Sequence, residues 1–148
     1  LMSSGKIHKA NEGCACTMNS MLEQFVAHLT LAEDEIALLD MEAGVEHFGR
    51  GTDNSVDGIL MIVDPSFESL RLSAKIADLS TSIGKPIWFC LNKVTEEAAQ
   101  MMEEEVGKHG AIIGRMPLNH DLSLAGLTGT ELQMTIAPVS EMAQFLIQ

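Results

Sequence analysis

The sequence predicts an α/β fold in which helices cover both faces of a mostly parallel sheet. Two observations predict it: short runs of apolar residues without polar alternation, and amphipathic segments at helical spacing between them. Continuously apolar strands are typical of sheets buried on both faces, and intervening helices favour right-handed parallel crossovers. A length of 148 residues with 46% hydrophobic residues is enough for a core and predicts one domain over residues 1–148.

The first half of the chain predicts a helix followed by two strands. Apolar residues at helical spacing predict a helix over residues 17–29. A run ending in a carboxylate, Ile36 to Asp40, predicts a buried strand. A second run over residues 58–63 predicts another strand, which stops at the turn signal Asp64-Pro65.

The second half continues the alternation. Apolar steps of four, three and four residues predict a helix over residues 72–83, and residues 86–91 predict a third buried strand. Thr95 can cap a helix that stops at Gly110. A short strand follows over residues 111–114. A last helix is predicted to begin at Pro138, because proline is tolerated in the first helical turn.

Charge and cysteine content indicate which classes of partner are unfavourable and which cellular compartment the protein suits. Nine Lys and Arg against 21 Asp and Glu give a net charge of −12, which argues against nucleic acid as a partner. No apolar run reaches the ~18 residues of a membrane span, and no Lys or Arg follows Arg115 to form a basic membrane-surface face. Three cysteines do not make a disulfide framework and favour a reducing, cytoplasmic setting.

Asp40 and Gly44 form the strongest candidate site, because ligands of parallel sheets bind at the carboxyl ends of the strands. A carboxylate there can hold Mg²⁺, usually through water. A glycine four residues later lets a backbone N–H approach a terminal phosphate without a Cβ in the way. The alternative on spacing alone is a strand-ending Asp in an ordinary glycine-rich loop.

Asn92 and Lys93 follow the third predicted strand, and Pro117 and Asn119 follow the fourth. An Asn side chain offers a donor and an acceptor together and can bind the edge of a purine. Residues 117–119 can line the same base pocket. The alternatives are a turn or cap role for Asn92 and a plain loop at residues 117–119.

Cys14 and Cys16 are a candidate metal pair. In an extended segment, side chains two residues apart point the same way, so both sulfurs can reach one ion. A tetrahedral site needs four ligands, and a two-fold dimer would double two thiolates to four. The alternative is a pair of buried structural thiols. Cys90 lies within a predicted strand and is expected in the core.

Taken together, these motifs resemble the deviant P-loop ATPases of the MinD/ParA-like class, and most closely the CooC-type accessory ATPases of carbon monoxide dehydrogenase. The resemblance runs over nearly the whole chain from about Gly5. It rests on Gly13-Cys14-Ala-Cys16, the stretch from Asp40 to Gly51, Leu91-Asn92-Lys93-Val94, and Val63-Asp64-Pro65-Ser66.

The resemblance implies a P-loop NTPase-like fold and an ATP-dependent metallochaperone that inserts nickel into carbon monoxide dehydrogenase. Asp40 is then similar to the residue at the Mg²⁺ site, and Gly44 to the switch glycine near the γ-phosphate. Asn92 is similar to the adenine-reading residue, with Lys93 beside it and Pro117 nearby. The cysteines at positions 14 and 16 resemble the Ni²⁺- or Zn²⁺-binding pair of a nucleotide-promoted homodimer.

The sequence departs from this family at the phosphate-binding loop. None of its Gly-Lys pairs is followed by Thr or Ser, so the Lys that clamps the phosphates of ATP is missing. The family's central first strand is expected to be missing too, and Leu1 in place of Met predicts a C-terminal portion of a longer ATPase. The isolated chain is therefore expected neither to bind ATP tightly nor to hydrolyse it. Alternatives are a non-enzymatic metal-binding or interaction module and a partitioning or positioning ATPase.

Overall fold

The computed structural model describes residues 24–41, 45 and 55–147. Contacts group the chain into two units, Leu1–Asp57 and Gly58–Gln148. In the described part of the second unit, strands and helices alternate. The strands are β1 (Ile59–Val63), β2 (Ile87–Val94) and β3 (Ala111–Pro117). The helices are α1 (Phe67–Ser82), α2 (Glu96–Val106), α3 (His120–Thr128) and α4 (Ala137–Leu146).

The three strands form one parallel sheet in the order β1-β2-β3. Ile59 pairs with Ile87 at the start of β2, and Trp88 pairs with Ala111 at the start of β3. The central strand is buried on both faces, since the neighbouring residues Phe89, Cys90 and Leu91 are all inaccessible to solvent. Its continuously apolar sequence reflects this position, as expected for a parallel strand covered on both sides.

Helices pack on both faces of the sheet, which confirms the predicted α/β class. On one face, β1 and β2 form the main core with α1 and α2 through the buried residues Val63, Ala77, Phe89, Leu91, Val94, Ala99, Met102 and Val106. On the other face, α4 lies against the sheet, and the ring of Phe145 meets Trp88 edge-on with centroids 6.2 Å apart.

Side-chain caps start three of the helices. Ser66, Thr95 and Asn119 each accept a hydrogen bond from the backbone N–H three residues later, as N-caps do. The predicted cap at Thr95 is confirmed, although α2 ends at Val106 rather than Gly110. The α3 helix was not predicted, and it stays largely exposed. None of the described helices is both long and apolar enough to cross a membrane.

The described part of the first unit corrects one prediction. Residues 24–27 are helical, in agreement with the end of the predicted helix, but residues 36–40 form no strand. Ile36 is 59% exposed and Leu38 is 88% exposed, so the run is not buried either. An apolar run becomes a buried strand only where another strand accepts its backbone hydrogen bonds, and none pairs with it among residues 24–41, 45 and 55–147.

Candidate functional site

Asp64, Asn92 and Lys93 meet at the carboxyl edge of the sheet. Asp64 directly follows β1, and the other two residues lie near the end of the neighbouring β2. The Asn92 Nδ2 donates to Asp64 Oδ1 at 2.8 Å, and the Lys93 Nζ donates to Asp64 Oδ2 at 2.8 Å. Both carboxylate oxygens of Asp64 are therefore engaged by side chains from the adjacent strand.

A local irregularity of β2 lets two successive side chains reach the same carboxylate. In a regular strand, Asn92 and Lys93 would point to opposite faces of the sheet. Here the pairing of β2 with β3 shifts register between Leu91 and Val94, as in a β-bulge. Lys93 has a φ of 53°, in the left-handed region that non-glycine residues seldom adopt. This backbone turn brings both side chains to Asp64.

The electrostatics of the cluster keep Asp64 ionised. The hydrogen bond from Lys93 is the largest influence and lowers the pKa of Asp64, with the Asn92 hydrogen bond and the lysine charge acting in the same direction. Partial burial opposes them but does not prevail. The side chains of Lys93 and Asp64 remain 56% and 42% exposed, so the cluster is open to a ligand from solvent.

The end of β3 lies beside this cluster. Pro117 is the last residue of β3 and pairs in register with Val94, two residues after Asn92. Pro117 and Asn119 line a cleft of about 220 Å³ that Asn92 does not line. This volume is below the ~300–1,000 Å³ of typical ligand pockets. The structure thus places Asn92 and Pro117 on neighbouring strand ends without forming one closed base pocket.

Asn119 has a structural role that differs from the expected loop. Its side-chain oxygen accepts the Leu122 N–H at 3.0 Å and caps α3. The residue is therefore a helix cap rather than part of a plain loop. A place for residues 117–119 in a base pocket stays a prediction.

A larger cavity of about 490 Å³ lies beside β3, one of the two edge strands of the described sheet. Its charged lining consists of Glu103, Arg115 and Glu141, and Arg115 forms an ion pair with Glu103. The two carboxylates would repel a phosphate, and the guanidinium group of Arg115 is already paired with Glu103. This cavity is a poor candidate for nucleotide binding despite its size.

The other predicted site residues are placed only in part. Asp40 is described and exposed. Gly44, Cys14 and Cys16 lie outside the described residues. No group of three or more His, Cys, Asp or Glu side chains that could hold a metal occurs in the described part of the chain. At Asp64, the paired ammonium group of Lys93 opposes the approach of a cation. Cys90 is buried as expected, and burial raises the pKa of its thiol.

The sequence pointed to Asn92 and Lys93 and placed Asp64 at the end of a predicted strand, without assigning a specific role to that carboxylate. A signal was present, because the carboxyl ends of adjacent parallel strands meet at one edge and Asp64 follows a predicted strand. The sequence did not show which way the side chains of Asn92 and Lys93 point, because the bulge at Lys93 sets their direction.

The chain is similar to several ATP-binding proteins. An uncharacterized ATP-binding protein of Methanocaldococcus jannaschii is 39% identical over 99% of this chain and 58% of its own length. A second such protein of that organism is 32% identical over 90% of this chain and 53% of its own length. The carbon monoxide dehydrogenase accessory protein CooC of Rhodospirillum rubrum is 29% identical over 87% of this chain and 49% of its own length.

The chain is thus similar both to CooC and to proteins named as ATP-binding, and its parallel α/β sheet is consistent with the P-loop NTPase-like fold that the resemblance implied. The chain spans about half the length of the curated relatives it matches. No protein-family model matches the chain.

Proposed function

We propose that this chain provides the adenine-binding side of the nucleotide site in a CooC-like ATPase. The observation that carries the proposal is the Asn92 amide, held by an ionised Asp64 at the carboxyl edge of a parallel sheet. This edge is where such sheets bind their ligands. An amide that offers both a donor and an acceptor suits the edge of a purine. The similarity to proteins named as ATP-binding supports the same choice of ligand.

The base-binding half can be tested without the phosphate-binding loop. Adenosine is titrated into the full 148-residue chain while the backbone amides of β2 and the Asn92 side-chain amide are followed by ¹H–¹⁵N NMR. We expect saturable, weak binding that shifts these amides and is lost in Asn92→Leu. Gln100→Leu, on the exposed side of α2, is the matched control and should bind as the wild type does. Equal binding by Asn92→Leu and the wild type would refute the assignment.

The isolated chain should not turn over ATP. Catalysis of phosphoryl transfer depends on a Lys and a Ser or Thr that position the phosphates and Mg²⁺, and this sequence has no Gly-Lys-Thr or Gly-Lys-Ser. Phosphate release from the purified chain with ATP and Mg²⁺ is the measurement. Turnover above a heat-treated control, absent from an Asp40→Ala variant, would contradict this expectation.

Asp40 and Gly44 belong to the proposal as the Mg²⁺ and γ-phosphate residues of the complete ATPase. The exposed carboxylate of Asp40 has the oxygen chemistry that Mg²⁺ prefers. Bound there, the ion would neutralise charge on the phosphates. Lys93 and Pro117 would contribute to the base side of the nucleotide site, at the carboxyl edge of the sheet.

Nickel delivery to carbon monoxide dehydrogenase is the finer part of the proposal. Cys14 and Cys16 would bind Ni²⁺ or Zn²⁺ in a homodimer that contributes two thiolates from each copy. The test is a Ni²⁺ titration followed by thiolate-to-metal absorption and by sedimentation. We expect about one ion per two chains and a metal-dependent dimer, both lost in Cys14→Ser/Cys16→Ser.

Cys90→Ala is the matched control for this titration, because the Cys90 thiol is buried in β2. It should bind Ni²⁺ as the wild type does. If the double serine variant also binds and dimerises normally, the two thiols are not the metal site. Metal binding without adenosine binding would instead favour a non-enzymatic metal-binding module.

A further inference from the structure

The Asp64 contact decides which way the Asn92 amide faces. An ionised carboxylate can only accept hydrogen bonds, so the Asn92 group that points to Asp64 Oδ1 at 2.8 Å must be its NH₂. The Asn92 carbonyl oxygen is then turned away from Asp64. No donor in the described part of the chain hydrogen-bonds to that oxygen, and Asn92 is only half-buried.

Lys93 helps to fix this arrangement. Its Nζ occupies Asp64 Oδ2 at 2.8 Å, which leaves Oδ1 for Asn92. The lysine also lowers the pKa of Asp64, so the carboxylate stays an acceptor at neutral pH. The amide of Asn92 therefore cannot rotate to present its carbonyl to Asp64 without facing one acceptor with another.

The fixed orientation has a consequence for the two purines. Adenine carries an amino group, a donor, at the position where guanine carries a carbonyl oxygen, an acceptor. A carbonyl oxygen that faces the ligand can accept from the adenine amino group but opposes the guanine oxygen. The second N–H of the Asn92 amide can donate to a neighbouring ring nitrogen. An amide free to flip could instead turn its NH₂ to guanine.

We propose that Asp64 is a positioning residue that selects adenine over guanine by fixing the orientation of the Asn92 side-chain amide. The proposal rests on the proposed function, since it concerns the specificity of the same base site. Asp64 acts through Asn92 and does not itself contact the base.

The test compares adenosine with guanosine on the full chain and on Asp64→Asn, with NMR-detected affinities. The wild type should prefer adenosine by about 5- to 100-fold, the discrimination expected of one bidentate side-chain contact to a base. The amide that Asp64→Asn introduces can donate or accept, so it no longer dictates the orientation of Asn92. The preference should then fall to about twofold or less, with guanosine binding more tightly than it does to the wild type.

Two further variants keep the result interpretable. Asp78→Asn makes the same chemical change on the exposed side of α1 and should keep the wild-type preference. Asp64→Ala removes the acceptor altogether and should lose the preference as Asp64→Asn does. A general loss of folding would weaken the binding of both nucleosides and leave the ratio of their affinities unchanged. Release of the Asn92 amide would change that ratio.

The outcomes separate the two proposals. If the wild type prefers adenosine and both Asp64 variants keep that preference, the role of Asp64 is wrong and the base site stands. If the wild type binds both nucleosides equally, the selection by Asp64 is wrong as well. If the wild type binds neither nucleoside, the proposed function fails and the specificity argument fails with it.

Discussion

At the residue scale, the molecule is most informative where Lys93 adopts a left-handed backbone conformation. A non-glycine residue at a φ of 53° costs about 1–2 kcal/mol relative to ordinary conformations. This strained conformation allows both Asn92 and Lys93 to contact Asp64, which lies 28 and 29 residues earlier in the sequence. Strained residues concentrate at functional sites, and this one lies where the fold predicts a ligand.

Replacing Lys93 with Met should raise the pKa of Asp64. The substitution removes the hydrogen bond and the positive charge that together lower that pKa, while partial burial continues to raise it. Titration of the Asp64 carboxyl carbon by ¹³C NMR measures the change. Lys75→Met, on the exposed side of α1, should leave the Asp64 titration unchanged. Identical titration curves in wild type and Lys93→Met would contradict the ion pair.

The sign of the pH dependence follows from the same pair. Because folding lowers the pKa of Asp64, the pair stabilises the folded state at neutral pH. This stabilisation begins to decrease when the pH falls below the ordinary pKa of Asp. It is lost as the pH drops through the lowered pKa of Asp64 in the folded state. It is small, about 0.2–1 kcal/mol, because both side chains are substantially exposed.

At the element scale, α4 is held to the sheet by close packing on a glycine. A Cβ at Gly114 would lie 2.2 Å from Met142 Sδ and 2.7 Å from its Cγ. Gly114 pairs with Cys90 of the central strand, so this contact fixes how closely α4 approaches the second face of the sheet. An alanine here would force the Met142 side chain to move, so space rather than backbone freedom favours glycine at this position.

Gly114→Ala should destabilise the fold by about 1–3 kcal/mol, as overpacking of a core does. Urea unfolding is the measurement. In Gly114→Ala/Met142→Ala the added methyl finds space, so the double variant should be less destabilised than the sum of the singles by about 0.5 kcal/mol or more. Additive effects would show that Met142 does not limit this position.

Gly126 offers a matched control for the glycine experiment. It lies inside α3, and an added Cβ would have no heavy atom within 4 Å apart from its chain neighbours and the backbone of α3. Gly126→Ala should leave stability unchanged or raise it by up to about 1 kcal/mol through helix propensity.

At the scale of the whole molecule, the central strand organises the described sheet. Phe89 and Leu91 face α1 and α2, Cys90 faces the opposite side, and all three are buried. Such a strand contributes to two layers at once. Its burial therefore stabilises the packing on both faces of the sheet.

Leu91→Ala should lower the free energy of unfolding by about 2–5 kcal/mol, the usual effect of removing a buried leucine. The same substitution at Leu127, which is 86% exposed on α3, should change it by less than about 0.5 kcal/mol. Chemical denaturation of the two variants checks both values. A comparable loss at both positions would contradict the placement of the core.

From Gly58 onward, sequence patterns predicted every strand and helix except α3, together with the parallel α/β class, the cap at Thr95 and the burial of Cys90. These features follow from local information: apolar runs, helical spacing and capping side chains act over a few residues. The sequence also singled out Asn92 and Lys93, which follow from strand ends in the same local way. The Gly44 and Cys14–Cys16 predictions lie outside the described residues and remain predictions.

Two features could be known only from the folded chain: the contacts of Asp64 and the conformation of residues 36–40. The first depends on a bulge that re-aims two side chains toward a carboxylate on the next strand, a geometry that apolar patterns do not encode. The conformation of residues 36–40 depends on a pairing strand. An apolar run indicates a tendency to be buried, but it does not show which strand would accept its backbone hydrogen bonds. The features that local sequence patterns could not predict are therefore those that depend on contacts between residues far apart in the sequence.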